Sequence, residues 1–165
     1  MTAVPSSPVT LTPATPDDDA FINRVIAASR ADDFAALEAE LRERMLALQV
    51  AAQRRHYRAA HPTASDHIID CAGRPVGRAL LAAASDSITV VDIAVVPERR
   101  GEGIGTAAMR AISERGDRLG VPLQVRVWAS DERLLRWYSR LGFVAGAASS
   151  THVELVRAAR AVVAA

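Results

Sequence analysis

The sequence predicts an α+β fold, a layer of helices on one mixed sheet, and three observations carry that prediction. Helical and strand-like segments do not alternate strictly: two helices come first, then a three-strand meander, then helix, strand, helix and hairpin. Helix starts, helix stops and turn residues punctuate nearly every junction. A chain of 165 residues with 50% hydrophobic and 24% charged residues suits one domain that buries a core without disulfides or metal.

Val9 to Leu11 reads as a short first strand. Thr15-Pro16-Asp17-Asp18 then spells a helix start, with a capping hydroxyl, proline at the first helical position and acids facing the dipole, and a helix runs to about Ser29. A long helix is predicted over roughly Asp33 to Ala60, its apolar face formed by Leu37, Leu41, Met45, Leu48 and Ala52, and ended by His61-Pro62. His67 to Cys71 and Val76 to Leu81 are strands around the turn Ala72-Gly73-Arg74-Pro75, and a second turn at Ser85-Asp86-Ser87 precedes a strand from Ile88 to Val96. Met109, Ile112 and Leu119 mark the face of a helix closed by Gly120 and Pro122. Leu123, Val125 and Val127 alternate as a strand, Asp131 to Leu141 is an amphipathic helix stopped by Gly142, and Phe143-Val144 pairs with Val153 to Val156 in a terminal hairpin. Residues 1–8 read as a leader, 9–157 as the domain and 158–165 as a loosely held tail.

Net charge is +1, so no global field recruits nucleic acid or an acidic membrane. No apolar run spans a bilayer, residues 1–8 have no secretion-signal pattern, and the single cysteine, Cys71, fits a reducing compartment. A cytoplasmic protein is expected. His61 and His67 lack metal-like spacing with Cys71 or each other, so no metal site is expected.

The most informative stretch runs from Val90 to Thr106. An apolar strand leads through Pro97-Glu98-Arg99-Arg100 into Gly101-Glu102-Gly103-Ile104-Gly105-Thr106 and a helix start. Glycines at every second position remove Cβ atoms from the turn, so several N–H groups can approach one anion, and the positive end of the helix dipole points there too. Arg99 and Arg100 add charge. The pattern is a phosphate cradle.

Arg100-Gly101-Glu102-Gly103-Ile104-Gly105 resembles the Arg/Gln-x-x-Gly-x-Gly/Ala signature of the GNAT superfamily of acyl-CoA-dependent N-acyltransferases. Asp131-x-x-Leu134-x-x-Trp137-Tyr138-x-x-Leu141-Gly142-Phe143 is similar to its second signature, in the expected order and at the expected separation. The resemblance spans essentially Thr10 to Val156 and implies a single mixed, mostly antiparallel sheet with flanking helices. It further implies acetyl-CoA as cosubstrate and a small-molecule or peptide amine as acceptor, with a homodimer left open. In the family, the strand before the loop splays from its neighbour at a bulge and pairs with the pantetheine arm, a role that falls to Ile93 and Val95. The amides of Gly101, Gly103, Ile104, Gly105 and Thr106, beside Arg100, would hold the pyrophosphate. Tyr138 stands where the family's tyrosine protonates the departing thiolate.

Two departures matter. The usual asparagine is Asp131, able to cap its helix but placing a negative charge near CoA. The position twelve residues before Tyr138, a glutamate base in some ribosomal-protein-acetylating members, is Arg126.

Other readings compete. The glycine loop could be an ordinary strand-to-helix turn. Gly103-x-Gly105-x-x-Ala108 also satisfies a dinucleotide fingerprint, but that fold wants the first glycine directly after its strand, near the chain start. A non-catalytic acyl-CoA-binding or regulatory module is the rival from another class. Tyr138 could be only a core aromatic beside Trp137. Asp92, alone in an apolar strand, either pairs with an arginine or serves as a general base with a raised pKa. Gln53, His56 and Tyr57, with Arg54, form a polar-aromatic patch late on the long helix, read as the substrate wall rather than a solvated face.

Overall fold

The computed structural model describes residues 7–161. Seven strands, β1 (Val9–Pro13), β2 (Ala64–Cys71), β3 (Arg74–Ala83), β4 (Ile88–Val95), β5 (Leu123–Trp128), β6 (Val144–Ala148) and β7 (His152–Arg157), form one sheet in the order β1-β2-β3-β4-β5-β7-β6. Every neighbouring pair is antiparallel except β4 with β5, which is parallel. That single parallel contact follows from helix α3 (Ile104–Leu119), which carries the chain from the end of β4 back to the start of β5. Helices α1 (Asp19–Ser29) and α2 (Ala39–Ala60) cover the opposite face of the β2–β4 half, and α4 (Glu132–Arg140) packs with α3.

The sheet sits between two apolar clusters. The larger joins Ile69, Ala79, Leu81, Ile88, Val90, Leu123 and Val125 to Ile104, Met109 and Ile112 of α3 and Tyr138 of α4; the smaller places Ile22 and Ile26 of α1 and Val50 of α2 on Ile68. The helix starts obey local chemistry. Thr15 and Asp18 bond reciprocally ahead of α1, and Asp131 Oδ1 accepts the Leu134 N–H at 2.9 Å as the cap of α4.

The long helix differs from expectation. Residues Ala31–Phe34 form a separate 3-10 turn, and α2 begins only at Ala39. The Arg42 guanidinium reaches back to the carbonyls of Leu37 (2.8 Å) and Ala35 (3.3 Å), fixing the intervening loop. The expected apolar face also misses the core, because Leu41 and Leu48 are 48% and 65% exposed. The inward stripe is Leu46, Val50, Gln53 and Tyr57, at spacings of three and four, which turns two polar side chains toward the sheet. Leu119, expected on the inner face of α3, is likewise exposed at the helix end, just before Gly120 takes a left-handed conformation.

Residues 1–6 of the expected leader and 162–165 of the expected tail lie outside the described residues. The preceding part of the tail is held: the Arg160 N–H donates to Asp117 Oδ1 at 2.7 Å, beside a two-pronged Arg157–Asp117 ion pair at 2.8 Å on each prong. No helix among the described residues is long and apolar enough to cross a membrane.

Candidate active site

β4 changes course in mid-strand. Leu81 pairs with Val90 but Leu80 pairs with Asp92, so Val91 is an extra residue, a bulge that reverses the alternation. Ile88 and Val90 pack toward α3; past the bulge, Ile93 and Val95 do, and Asp92 is turned to the α1/α2 face. β4 and β5 pair over only Ile88–Val90 with Leu123–Val125, so the two parallel strands part beyond that point. The backbone edge of β4 from Ile93 to Val95 therefore has no strand beside it. Arg100 Nε donates to the Val95 carbonyl at 3.1 Å, which identifies that carbonyl as facing the open edge; Ile93, two residues earlier, shares its direction.

A 3-10 turn, Pro97–Arg99, links the open edge to the glycine turn. Gly101 (φ +82°) and Gly103 (φ +78°) are left-handed, a conformation that costs other residues about 1–2 kcal/mol. Gly103 is the N-cap of α3, so the N–H groups of Ile104, Gly105 and Thr106 have no carbonyl one turn earlier to receive them. A methyl built on Gly101 would meet no atom within 4 Å. Open space above several unclaimed N–H groups and a helix N-terminus suits a bound anion. Gly105 differs, being helical, and its missing Cβ faces Trp137 and Val95 at 3.8 and 3.9 Å. The Thr106 hydroxyl is engaged too, accepting from Trp137 Nε1 at 3.0 Å and so tying α4 to the first turn of α3. The arginines divide their work: Arg99 is bound to Glu102 at 2.9 Å, and Arg100 braces the end of β4.

Tyr138 is 2% exposed, its ring edge-on to Trp137 (4.7 Å) and to Phe143 (5.2 Å). Among the described residues its hydroxyl has no hydrogen-bond partner. Burial, and secondarily the negative charge of Asp92, push its pKa well above the usual phenol value, so the proton is held firmly until a strong base arrives.

Asp92 lies in a polar cluster on the other side of β4. Its carboxylate stands 3.1 Å from Nη2 of Arg78, whose Nε is 3.3 Å from Asp66 Oδ1. Gln53 Nε2 lies 3.5 Å from Asp92 and 3.5 Å from the Tyr57 hydroxyl. Burial raises the Asp92 pKa above the ordinary carboxylate value, and Arg78, Arg30 and the Ile93 backbone oppose the rise. Asp92 is thus paired with an arginine, and its affinity for a proton is increased. Tyr57 also titrates above its usual range, chiefly through burial.

Of the expected substrate wall, Gln53 and Tyr57 face this cluster, whereas His56 is exposed, its ring centroid 5.9 Å from that of Tyr57. Tyr57, Arg58, His61, Asp66 and Arg78 line a cavity of about 80 Å³. A larger groove of about 650 Å³ runs between α1 and α2, touching neither Asp92, Tyr138 nor the glycine turn. Asp131 serves as the α4 cap, its Oδ1 committed to Leu134. Sequence reasoning missed Arg78 and Asp66. The available signal was Arg78 inside the apolar strand Val76 to Leu81; Asp66 fell just before the expected strand His67 to Cys71.

Residues 63–145 match the family model described as the acetyltransferase (GNAT) domain, and the chain belongs to that family. No curated protein matches the sequence. Solved structures share the fold at low identity. The PaiA N-acetyltransferase of Thermoplasma acidophilum, solved in complex with coenzyme A, is 11% identical with a TM-score of 0.68, over 91% of this chain and 98% of that one. The ribosomal-protein-S18-alanine N-acetyltransferase of Escherichia coli is 17% identical with a TM-score of 0.61, over 93% and 96%. A GNAT acetyltransferase of Elizabethkingia anophelis with acetyl-CoA bound is 13% identical with a TM-score of 0.59, over 91% and 97%.

Proposed function

We propose that this protein is an N-acetyltransferase that moves an acetyl group from acetyl-CoA to a primary amine by direct attack in a ternary complex. One observation carries the reading: the unpaired edge of β4 is followed, after one 3-10 turn at Pro97–Arg99, by a left-handed glycine turn and the N-terminus of α3. An extended arm that ends in a pyrophosphate needs strand-like hydrogen bonding followed by an anion cradle, in that order. Ile93 and Val95 would supply the first; Gly101, Gly103 and the amides of Ile104, Gly105 and Thr106 the second, with Arg100 holding the two together and Asp131 shaping the neighbouring helix start. The cosubstrate brings an activated thioester. The protein's part is to place an amine against it and to move protons.

An amine attacks only when neutral. Asp92, its proton affinity raised by burial, takes a proton from the incoming ammonium. The amine nitrogen then bonds to the thioester carbon as the carbon–sulfur bond breaks. Tyr138 gives its proton to the thiolate and recovers one from the nitrogen, and Asp92 later releases its own to water. The products are an amide, a free thiol and one proton. Burial keeps the phenol protonated until the thiolate forms, and the same rise in pKa makes Tyr138 a weaker acid toward that thiolate. In this reading Gln53 and Tyr57, which stand beside Asp92, would meet the acceptor amine.

The test is thiol release from acetyl-CoA across amino acids, polyamines, aminoglycosides and peptide N-termini. One accepted class supports transfer. Tight CoA binding without amine-dependent thiol release would make the protein a binding module instead.

A further inference from the structure

Arg78 sits at the centre of β3 and is 2% exposed, one of the largest fully buried side chains in the protein. A guanidinium removed from water is costly unless its charge and donors are met. Two carboxylates meet the charge, one from each neighbouring strand: Asp66 on β2 at 3.3 Å and Asp92 on β4 at 3.1 Å. The donors are met poorly. Neither Nε nor Nη2 of Arg78 makes an aligned hydrogen bond, and Asp66 Oδ1 and Gln53 Oε1 are buried without one. An ion pair kept for stability alone would gain from two-pronged geometry, which this chain does build between Arg157 and Asp117. The Arg78 cluster keeps the charges and forgoes the alignment. It also lies beside the bulge that turns Asp92 to this face.

We propose that Arg78 is a positioning residue for acyl transfer, splitting its charge between Asp66 and Asp92 so that Asp92 stays an anion facing the acceptor while retaining appetite for a proton. The inference rests on the reading of Asp92 as the base. Asp66 acts as the counterweight: by drawing on the same guanidinium it keeps Asp92 from being neutralised outright. The groups around Asp92 on its own face are Arg30 after α1, Gln53 and Tyr57 from α2, Asp66 from β2 and Arg78 from β3, and Tyr138 of α4 feels its charge from the other face of the sheet. Only Arg78 contacts both carboxylates.

The prediction is directional. Without Arg78, two carboxylates share one buried site, so Asp92 takes its proton at higher pH. Without the Asp66 charge, Arg78 serves Asp92 alone and the proton is taken at lower pH. The experiment is the pH dependence of kcat/KM for an accepted amine in Arg78→Met, Arg78→Lys, Asp66→Asn and Asp92→Asn, with CoA affinity as the folding control. The amine's own pKa is common to all variants and cancels. Arg78→Met should move the acid limb upward by about 1–3 pH units, Arg78→Lys should return it toward wild type, and Asp66→Asn should move it downward. If Arg78→Met fails to bind CoA, Asp66→Asn and Arg78→Lys decide the matter. Acid limbs unmoved by these variants, with a limb erased by Asp92→Asn, would make Arg78 merely structural. A wild-type limb in Asp92→Asn would instead remove Asp92 as the base.

Discussion

Gly101 and Gly120 form a matched pair that separates anion binding from backbone strain. Both are left-handed, at φ +82° and +68°, and a methyl added to either meets no atom within 4 Å. They stand at opposite ends of the α3 region, Gly101 in the turn before it and Gly120 as its C-cap. Alanine at either position therefore costs the left-handed penalty and little else, about 1–2 kcal/mol. The fold already carries one such alanine, Ala72 at φ +55°. For a domain of this size that cost lowers Tm by roughly 2–8 °C in both variants. Their effects on ligand should part. Gly101→Ala puts a methyl over the turn and biases its backbone away from the N–H directions that an anion needs. Losing one charge-assisted hydrogen bond costs about 1.5–3 kcal/mol, so Kd for CoA should rise roughly 10- to 100-fold. Gly120→Ala should leave Kd unchanged. Calorimetric titration with CoA, alongside thermal melts, measures both quantities. Equal affinities in the two variants, at matched loss of Tm, would refute the cradle.

Other consequences are equally open to measurement. Tyr138→Phe keeps both edge-on ring contacts and deletes only the donor, so kcat should fall by about 10²–10⁴ while CoA affinity holds; an unchanged kcat under chemistry-limited turnover would leave the residue as packing. Tyr57→Ala should raise the amine KM more than the acetyl-CoA KM, and His56→Ala should raise neither, because only Tyr57 faces the Asp92 cluster; equal effects from the two would contradict the placement. Asp117 has its pKa lowered to about 2, first by its hydrogen bonds from Arg157, so its contribution is present above the unfolded carboxylate value and lost as pH falls from about 4 through 2. Wild type should lose about 1–2 kcal/mol more than Asp117→Asn over that interval in denaturant titrations, and parallel curves would sink the assignment.

What the sequence discloses here depends on whether a signal is local. The helix start after Gly103, the α4 cap at Asp131 and the hairpin after Phe143 are written in consecutive residues, and the structure places them as expected. The α2 face is not local. Leu41 and Leu48 form an apolar stripe as good as any, yet the sheet receives Val50, Gln53 and Tyr57, because helix rotation is chosen by the partner surface rather than by the helix. The bulge at Val91 has no signal in its own residue type; it appears only where Leu80 pairs with Asp92. Asp92 stood out in an apolar strand and invited an arginine partner. Which arginine could not be read, since it depends on the register of β3 against β4, and that register is shifted by the same bulge.

The proposed chemistry is direct transfer from thioester to amine. A rapid-quench single turnover, with enzyme in excess over acetyl-CoA and an accepted amine present, tests it most directly when intact-protein mass and amide product are read from the same samples. Direct transfer requires amide and free thiol to appear together at one rate, with the protein mass unchanged throughout. An acetylated protein that forms first and decays as the amide appears, or thiol release with no amide at all, would contradict it.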